Sequence, residues 1–535
     1  MTSDMSDSGH LTRQQTFGPT SVPRRKQLRT QAVGSPIPHW FMSVLFLAYF
    51  MTLSVVLPRL FVPTGRPIWA IVFWELLTVG LAIDLAESTC LLFSHTPKIP
   101  PQLRSLEKRP TVALLMLTCD DVVLEPLLRL RDQTYENVSL FVLDDSSQQS
   151  SKDEIDRSGY KVVRRDGRRG FKAGSVNSWL RTFGNDYDYF VLLDSDSILP
   201  ADCVERLLWY GEHPSNQDVA IFNTLPHCWN TGRRFPRLLS SVLPIQNWIR
   251  LRIDNLSVTT FSTGHNNLHR TQAVLEVGGF NEDFVAEDIV LSLTLLQHGF
   301  RSVLTDVVAS DAEPEHIFSF VRRQQRWAAQ TIQAANGSWG TLPLCVRFQL
   351  FKLVWMYLGV FLYPVWALAA AWGTTSRFAD LASIGGAFIT KGGVGAGSMM
   401  RIVVPLVLPL LMFLLKTPIA FAAGVRLRDF LVHLVFSWNV AFYSMFGVVS
   451  AAAHALIQRD LRFEVTDKRL RGVTIREVLL RQPMLAPFLV LVAMGLCQNI
   501  VGLVLALPWF TMLFLCQLVM YCSHDGYRQP RSGAI

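Results

Sequence analysis

Two short apolar runs in the middle of the chain end directly on aspartates, and this limits the fold more than any other feature. Val138–Leu143 (VSLFVL) runs into Asp144-Asp145, and Tyr189–Leu193 (YFVLL) runs into Asp194-Ser195-Asp196. A third run, Thr111–Thr118 (TVALLMLT), follows Pro110. Runs this short and continuously apolar read as strands buried on both faces, and intervening segments such as Leu124–Asp132 read helical. Strands alternating with helices build a mainly parallel sheet with helices on both faces. Ligands of such sheets collect beyond the carboxyl ends of the strands, where these acids stand.

This α/β stretch, residues 95–340, lies between greasy ends. Half of the 535 residues are hydrophobic and only 17% are charged, the charges gathering in the middle and in short connectors. A spanning helix needs about 20 apolar residues. Trp40–Val62 meets that length, and so does Ile68–Phe93 apart from Glu75, Asp84 and Glu87, acids expected to face a helix bundle or the interface. They predict two transmembrane helices over 38–94. Phe351–Trp372 and Ile402–Leu415 predict two more within 341–425, joined by an external Gly-rich loop (Gly385 to Gly397) that lacks the G-K-[ST] of a phosphate loop. Leu485–Tyr521 is long enough for a further two within 483–522, breaking near Pro508.

Phe430–Ile457, interrupted by His433, Asn439, Ser444 and His454, reads as an interface helix within 426–482. Six crossings follow, or seven if that segment spans. Residues 1–37 carry Arg24, Arg25, Lys26 and Arg29 without an apolar leader core and read as a disordered basic cytosolic tail. Residues 523–535 form a second tail. Basic flanks put both termini and the α/β domain on the cytoplasmic side of a cell inner membrane. The net charge of +8 gathers at such flanks. With no reader motif present, nucleic acid is not an expected partner. The eight cysteines show neither C-x-x-C nor zinc spacing and read as reduced, buried thiols.

The chemistry-bearing residues suit transfer of a sugar from a nucleotide donor. Carboxylates two apart at a strand end, Asp194 and Asp196, offer hard oxygens to Mg²⁺ or Mn²⁺, ions that neutralise a diphosphate leaving group. The earlier strand-end pair, Asp144 and Asp145, stands where a base or ribose could be held. Transfer also needs a base to take the proton of the acceptor hydroxyl. Asp288, in Phe284-Val285-Ala286-Glu287-Asp288, is the candidate, with Glu287 beside it. Glu287–Gly299 reads helical, and a helix N-terminus favours an ionised Asp288; a first-turn capping acid is the structural alternative. In Arg323-Gln324-Gln325-Arg326-Trp327, arginine can steady a departing diphosphate and the indole can stack a sugar ring. Membrane-border anchoring is the alternative for that pair. Lys172-Ala173-Gly174 and Phe261-Ser262-Thr263-Gly264-His265 read as loops near a ligand.

At these residues the chain resembles the processive family 2 glycosyltransferases of the cellulose synthase type, whose pattern is D, D-x-D, T-E-D and Q-x-x-R-W. Lys172-Ala173-Gly174 with Asn177 is similar to the family's K-A-G-x-x-N segment, and Phe463-Glu464-Val465-Thr466-Asp467-Lys468 to its F-x-V-T-x-K gating loop. The resemblance runs from about residue 40 to 522. It implies a GT-A-like α/β domain inserted between α-helical transmembrane segments. The implied activity is an inverting, UDP-sugar-dependent hexosyltransferase that polymerises glucose from UDP-glucose into a β-glucan and translocates it.

By resemblance, Asp144, Asp145, Lys172, Arg323, Gln324 and Arg326 bind the donor, and Asp194 and Asp196 hold its diphosphate and the metal. Asp288 with Glu287 supplies the base. Trp327, Thr263, Gly264 and His265 meet the acceptor, and Phe463, Val465, Thr466 and Lys468 close over the donor. The implied partners are a UDP-sugar, the nascent polysaccharide and the bilayer, with periplasmic or export partners left open. Arg323 replaces the first Gln of Q-x-x-R-W, Ala286 the Thr of T-E-D, and Ser262-Thr263-Gly264-His265 a Phe-Cys-Gly-Ser pattern. The linkage is therefore open among β-1,3 (curdlan-like), β-1,4 and mixed. A non-processive transferase acting on a lipid acceptor, and a polysaccharide transporter or scaffold with a vestigial catalytic domain, remain the alternatives.

Overall fold

Alternate side chains of the first strand are buried in two different cores, which fixes the layering. The computed structural model describes residues 39–56, 68–93, 96–338, 340, 342–344, 346–357, 414–457, 473–481 and 518–524. In β1 (Val112–Thr118), Val112, Leu114 and Met116 pack on one side with Val204, Leu207 and Leu208, while Ala113 and Leu115 pack on the other with Val176, Trp179 and Leu291. A strand covered on both faces must lie inside an α/β/α sandwich.

The sheet has seven strands in the order β3-β2-β1-β4-β6-β5-β7. The others are β2 (Val138–Asp144), β3 (Lys161–Val163), β4 (Tyr189–Asp194), β5 (Val219–Cys228), β6 (Asn267–Arg270) and β7 (Arg301–Asp311). All pairs are parallel except those of β6, which runs against both β4 and β5. The sheet is thus mixed, with one reversed strand that the apolar pattern does not announce. β6 reads N-L-H-R, and its buried Asn267 and His269 are tolerated because each is partnered. Asn267 donates to Ser262 Oγ and Thr263 Oγ1, and the His269 ring stacks on Phe190 with centroids 4.8 Å apart. Burial drives the His269 imidazole down to about 3, so it is a neutral core ring.

The K-A-G-x-x-N segment opens the helix Phe171–Phe183, and each of its named residues does a different job. Lys172 leans into the strand ends. Gly174 lies against the Arg169 carbonyl and the Arg165 guanidinium, where a Cβ would collide. Asn177 accepts from Phe280 N–H (2.9 Å) and donates to Phe280 O (2.8 Å) and Glu282 Oε1 (2.9 Å). It closes the turn at Gly278 and Gly279, both at positive φ, which delivers the chain to the helix Glu287–Gln297.

Beyond the sheet, the helix Ile317–Ser338 packs along Leu427–Ile457 through Phe318, Val321, Phe436, Val440 and Tyr443. Gly447 gives Gln325 room to approach. The opposite side of Leu427–Ile457 exposes Leu431, Val432, Val435 and Trp438. Among the described residues no single helix is long and apolar enough to cross a membrane. Leu427–Ala441 and Tyr443–Ile457, bent by 45°, pass that test as a pair by length and composition. His39–Met51 and Ile68–Phe93 are helical. The three acids of the second have partners: Glu75 accepts from Ser54 (2.5 Å), Asp84 pairs with Lys416 (3.0 Å) and Glu87 with Lys352. The Gly-rich loop, the gating-loop residues Phe463, Val465, Thr466 and Lys468, and most of 483–522 lie outside the described residues.

Removing the Asn177 amide strands a buried N–H and C=O of Phe280, each costing about 1–3 kcal/mol unsatisfied. Asn177→Ala should therefore lower the thermal midpoint of the purified protein by several degrees, read by near-UV circular dichroism. Asn177→Asp keeps the acceptor but turns a buried carboxylate on Phe280 O and Glu282, so it should fall at least as far.

Candidate functional site

Strand register brings the acids to one edge. Across β1, Thr118 is level with Asp144 of β2 and Leu117 with Asp194 of β4. On the other side of the reversed strand, β7 ends on Asp311, level with Cys228 of β5. The loops leaving this edge are stitched together. Asp120 accepts from the N–H groups of Ser147 and Gln148, and Asp121 accepts from Cys119 N–H (2.8 Å) and the Ser195 hydroxyl (2.9 Å). Ser197 donates to Asp311 (2.7 Å). Among the described residues, the non-glycine positions with positive φ are Asp120, Phe171 and Asn266, all on this rim. Asp and Asn tolerate this backbone best, and here both bond across the rim, Asp120 accepting from Ser147 and Asn266 donating to Asp311.

The edge opens into a cavity of about 2540 Å³. Its wall includes Asp145, Lys172, Asp194, Asp196, Thr263, Gly264, His265, Glu287, Asp288, Arg323, Gln324, Arg326 and Trp327. It extends to Asp84, Glu87, Lys352 and Lys416 on the apolar helices. Asp144 is not part of the wall. Its buried carboxylate accepts from Arg164 Nε (2.7 Å) and Ser146 N–H (2.9 Å), which fixes the end of β2 and so the lining neighbour Asp145. Asp145 meets Arg165 through two bonds of 2.9 and 2.6 Å.

Charges of both signs alternate across the floor. Lys172 Nζ lies 2.7 Å from Asp194 Oδ1. His265 lies 3.7 Å from Asp194 Oδ2 and 3.1 Å from Asp311 Oδ2. Burial opposes charge on His265, but Asp311 and Asp194 outweigh it and push the imidazole up to about 9, so it is a cation. Burial also opposes the Lys172 charge, yet Asp194 and Glu287 hold its ammonium above the ordinary value. Burial would raise Asp311, but His265 holds it low. Burial depresses Arg326 while Asp194, Glu287 and Asp288 pull it back, which sets this guanidinium among the acids.

Glu287 and Asp288 begin their helix as expected, but in a dry setting. Burial first, then the Asp288 charge, push Glu287 up to about 7. Burial also raises Asp288, against the Ile289 N–H that donates to it at 2.8 Å. Gly264, at φ +81°, lies so close that a Cβ there would stand 2.8 Å from Asp288 Oδ2. Trp327 is 37% exposed on the cavity wall. Arg323 lies over it at 4.8 Å and pairs with Glu313 at 2.6 Å.

Several participants carried no motif. Asp311 has the signal that found Asp144 and Asp194, an aspartate ending a buried strand, but it is masked by the polar residues within β7. Asp121 follows β1 in the same way. Among the described residues no group of three or more His, Cys, Asp or Glu side chains forms a metal cage. Asp194, with a side chain 40% exposed, and the largely buried Asp196 both border the cavity as hard oxygen ligands. That set fits Mg²⁺ or Mn²⁺, which keeps waters and completes its shell with substrate oxygens. Lys172 and His265 already stand beside Asp194, so the ion fits together with a diphosphate that brings its own negative charge.

Residues 189–379 match glycosyl transferase family group 2. The likeness is confined to that stretch. It contains Asp194, Asp196, Glu287, Asp288 and the Arg323–Trp327 run. Among similar proteins is the glucans biosynthesis glucosyltransferase H of Rhodopseudomonas palustris strain TIE-1, 22% identical over 404 residues, covering 63% of this chain and 52% of the relative. The protein of the same name from Caulobacter vibrioides strain NA1000 is 27% identical over 228 residues, 39% of this chain and 33% of that one. The chain thus spans about half or less of the length of these relatives. In fold it is similar to a mannosyltransferase from Pyrobaculum calidifontis solved with GDP-Man and Mn²⁺, at a TM-score of 0.46 and 19% identity over 66% of this chain and 96% of that one.

Because the folded Glu287 carboxyl is raised, ionising it costs the fold. That cost is absent below the usual carboxyl value of 4.5, grows as pH rises towards about 7, and is complete above it. Glu287→Gln should therefore match the parent's thermal midpoint near the low end of that interval and exceed it above the high end.

Proposed function

We propose that this chain is a membrane-embedded glycosyltransferase that moves glucose from UDP-glucose onto a growing β-glucan and passes the polymer across the membrane. The observation that carries the reading is the one continuous cavity holding the strand-end acids, the raised Glu287–Asp288 pair and the Trp327 indole, and running on to the apolar helices. The names of the relatives, glucosyltransferases of glucan biosynthesis, support glucose as the sugar.

In this reading Asp145, held by Arg165, forms the nucleoside end of the cleft, and Lys172 and Arg326 face the diphosphate. A bound divalent cation, held by Asp194 and Asp196, would neutralise charge on the leaving diphosphate. The acceptor hydroxyl attacks the anomeric carbon, the bond from that carbon to the phosphate oxygen breaks, and UDP departs with the bonding pair. The hydroxyl proton passes to Asp288. A carboxyl raised towards neutral by burial takes that proton more readily than a solvated one. One displacement inverts the anomeric centre, so an α-linked donor gives a β-glucan. Trp327 offers its exposed face to the acceptor ring.

The membrane part rests on apolar segments flanking the domain and on the exposed apolar side of Leu427–Ile457. The Asp84–Lys416 and Glu87–Lys352 pairs suit the wall of a polar passage better than a lipid-facing surface.

Full-length protein purified in detergent should turn UDP-glucose with Mg²⁺ into high-mass polymer whose linkage is read by β-1,3- and β-1,4-specific glucanases. Asp288→Asn should lower the rate by about 10²–10⁴-fold. Turnover of the parent should fall as pH drops through about 7, as the carboxyl pair takes up a proton. Label confined to an organic-extractable glycolipid would replace the polymerising reading with transfer to a lipid, and no product from any UDP-sugar would overturn both.

A further inference from the structure

Arg323 stands where the resembled pattern has glutamine, and its surroundings are not those of a phosphate ligand. Phe320, Arg323 and Trp327 are spaced three and four residues apart, so they share one side of the helix Ile317–Ser338. The guanidinium carbon lies 4.8 Å from the Trp327 ring centroid and 5.5 Å from that of Phe320. Its Nη2 donates to Glu313 Oε2 at 2.6 Å, and both side chains are only 17% exposed. Glu313 is itself fixed, since its N–H donates to Asn230 Oδ1 (2.9 Å) and its carbonyl accepts from Asn230 Nδ2 (2.8 Å). Arg323 Nε is buried without a hydrogen-bond partner among the described residues. The cost of burying that donor argues for a role set by where the plane is held. All these residues line the cavity that contains Asp288.

We propose that Arg323 is a positioning residue for the acceptor. Anchored on Glu313, its guanidinium covers one face of the Trp327 indole and leaves the other face as the platform for a sugar ring. The inference rests on the reading of Trp327 as that platform. It divides the two arginines of the run: Arg326 sits among Asp194, Glu287 and Asp288 on the donor side, and Arg323 serves the acceptor side through the indole. A planar fork can lie on a ring and hold a carboxylate at once, which an ammonium cannot do, so lysine should not substitute.

The test uses full-length protein in detergent and measures calorimetric binding of cellotetraose and laminaritetraose, the KM for UDP-glucose, and the near-UV circular dichroism of the indoles. Arg323→Gln and Arg323→Lys should each weaken binding of whichever tetrasaccharide the parent takes by roughly three- to tenfold, the scale of one cation–π contact. Both should change the indole signal and leave the KM for UDP-glucose unchanged. Glu313→Gln should act in the same direction. A raised KM for UDP-glucose with unaltered oligosaccharide affinity would overturn the proposal in favour of donor binding, and unaltered values for both would overturn it outright. Failure of the underlying reading is seen separately. It would show as Trp327→Ala leaving oligosaccharide affinity intact, or as a parent that binds neither tetrasaccharide, and would remove this inference with it.

Discussion

Acidic side chains crowd one cleft, and the structure depends on the cations placed among them. Asp194, Asp196, Glu287, Asp288 and Asp311 could not share a low-dielectric space as free anions. Lys172, His265 and Arg326 stand between them, each from a different element: the start of a helix, the loop before the reversed strand, and the long helix leading toward the apolar segments. The balance is incomplete at Glu287 and Asp288, whose values are raised by burial, with the Asp288 charge adding to it at Glu287 and Lys172 only partly offsetting it. Charge pairing thus assembles the cleft and leaves one carboxyl pair poised to exchange a proton.

The parts of this arrangement legible in the sequence are those with a local cause. β1, β2 and β4 are short and mostly apolar, and β2 and β4 end directly on aspartates, so their existence and the edge where the acids gather follow from pattern. The helix at Glu287 could be read from its apolar spacing, and the Arg323–Trp327 run from its composition. The reversed β6 could not be read, because four residues with a buried Asn and His carry no periodic signal and are stable only through partners distant in sequence. Asp311 was missed because β7 mixes Ser, Thr and Asp among its valines. Asp144 and Asp145 look equivalent in sequence. Only the fold separates them, one turned to Arg164 as a brace and the other lining the cleft.

The helix Ile317–Ser338 joins two environments. One side carries Arg323, Arg326 and Trp327 into the cleft, and another packs Phe318 and Val321 against Leu427–Ile457, whose far side is bare of polar cover. A displacement of Leu427–Ile457 would therefore be felt at the indole through a rigid element. The close seat of Gln325 at Gly447 leaves little slack in that contact.

Gly264 is the tightest point in the loop before the reversed strand. Its backbone conformation and its distance from the Asp288 carboxylate together forbid any side chain there. On the proposed function, a change in which hydroxyl meets that carboxylate would have to come through Thr263, His265 or the cover over the indole, with Gly264 left as it is.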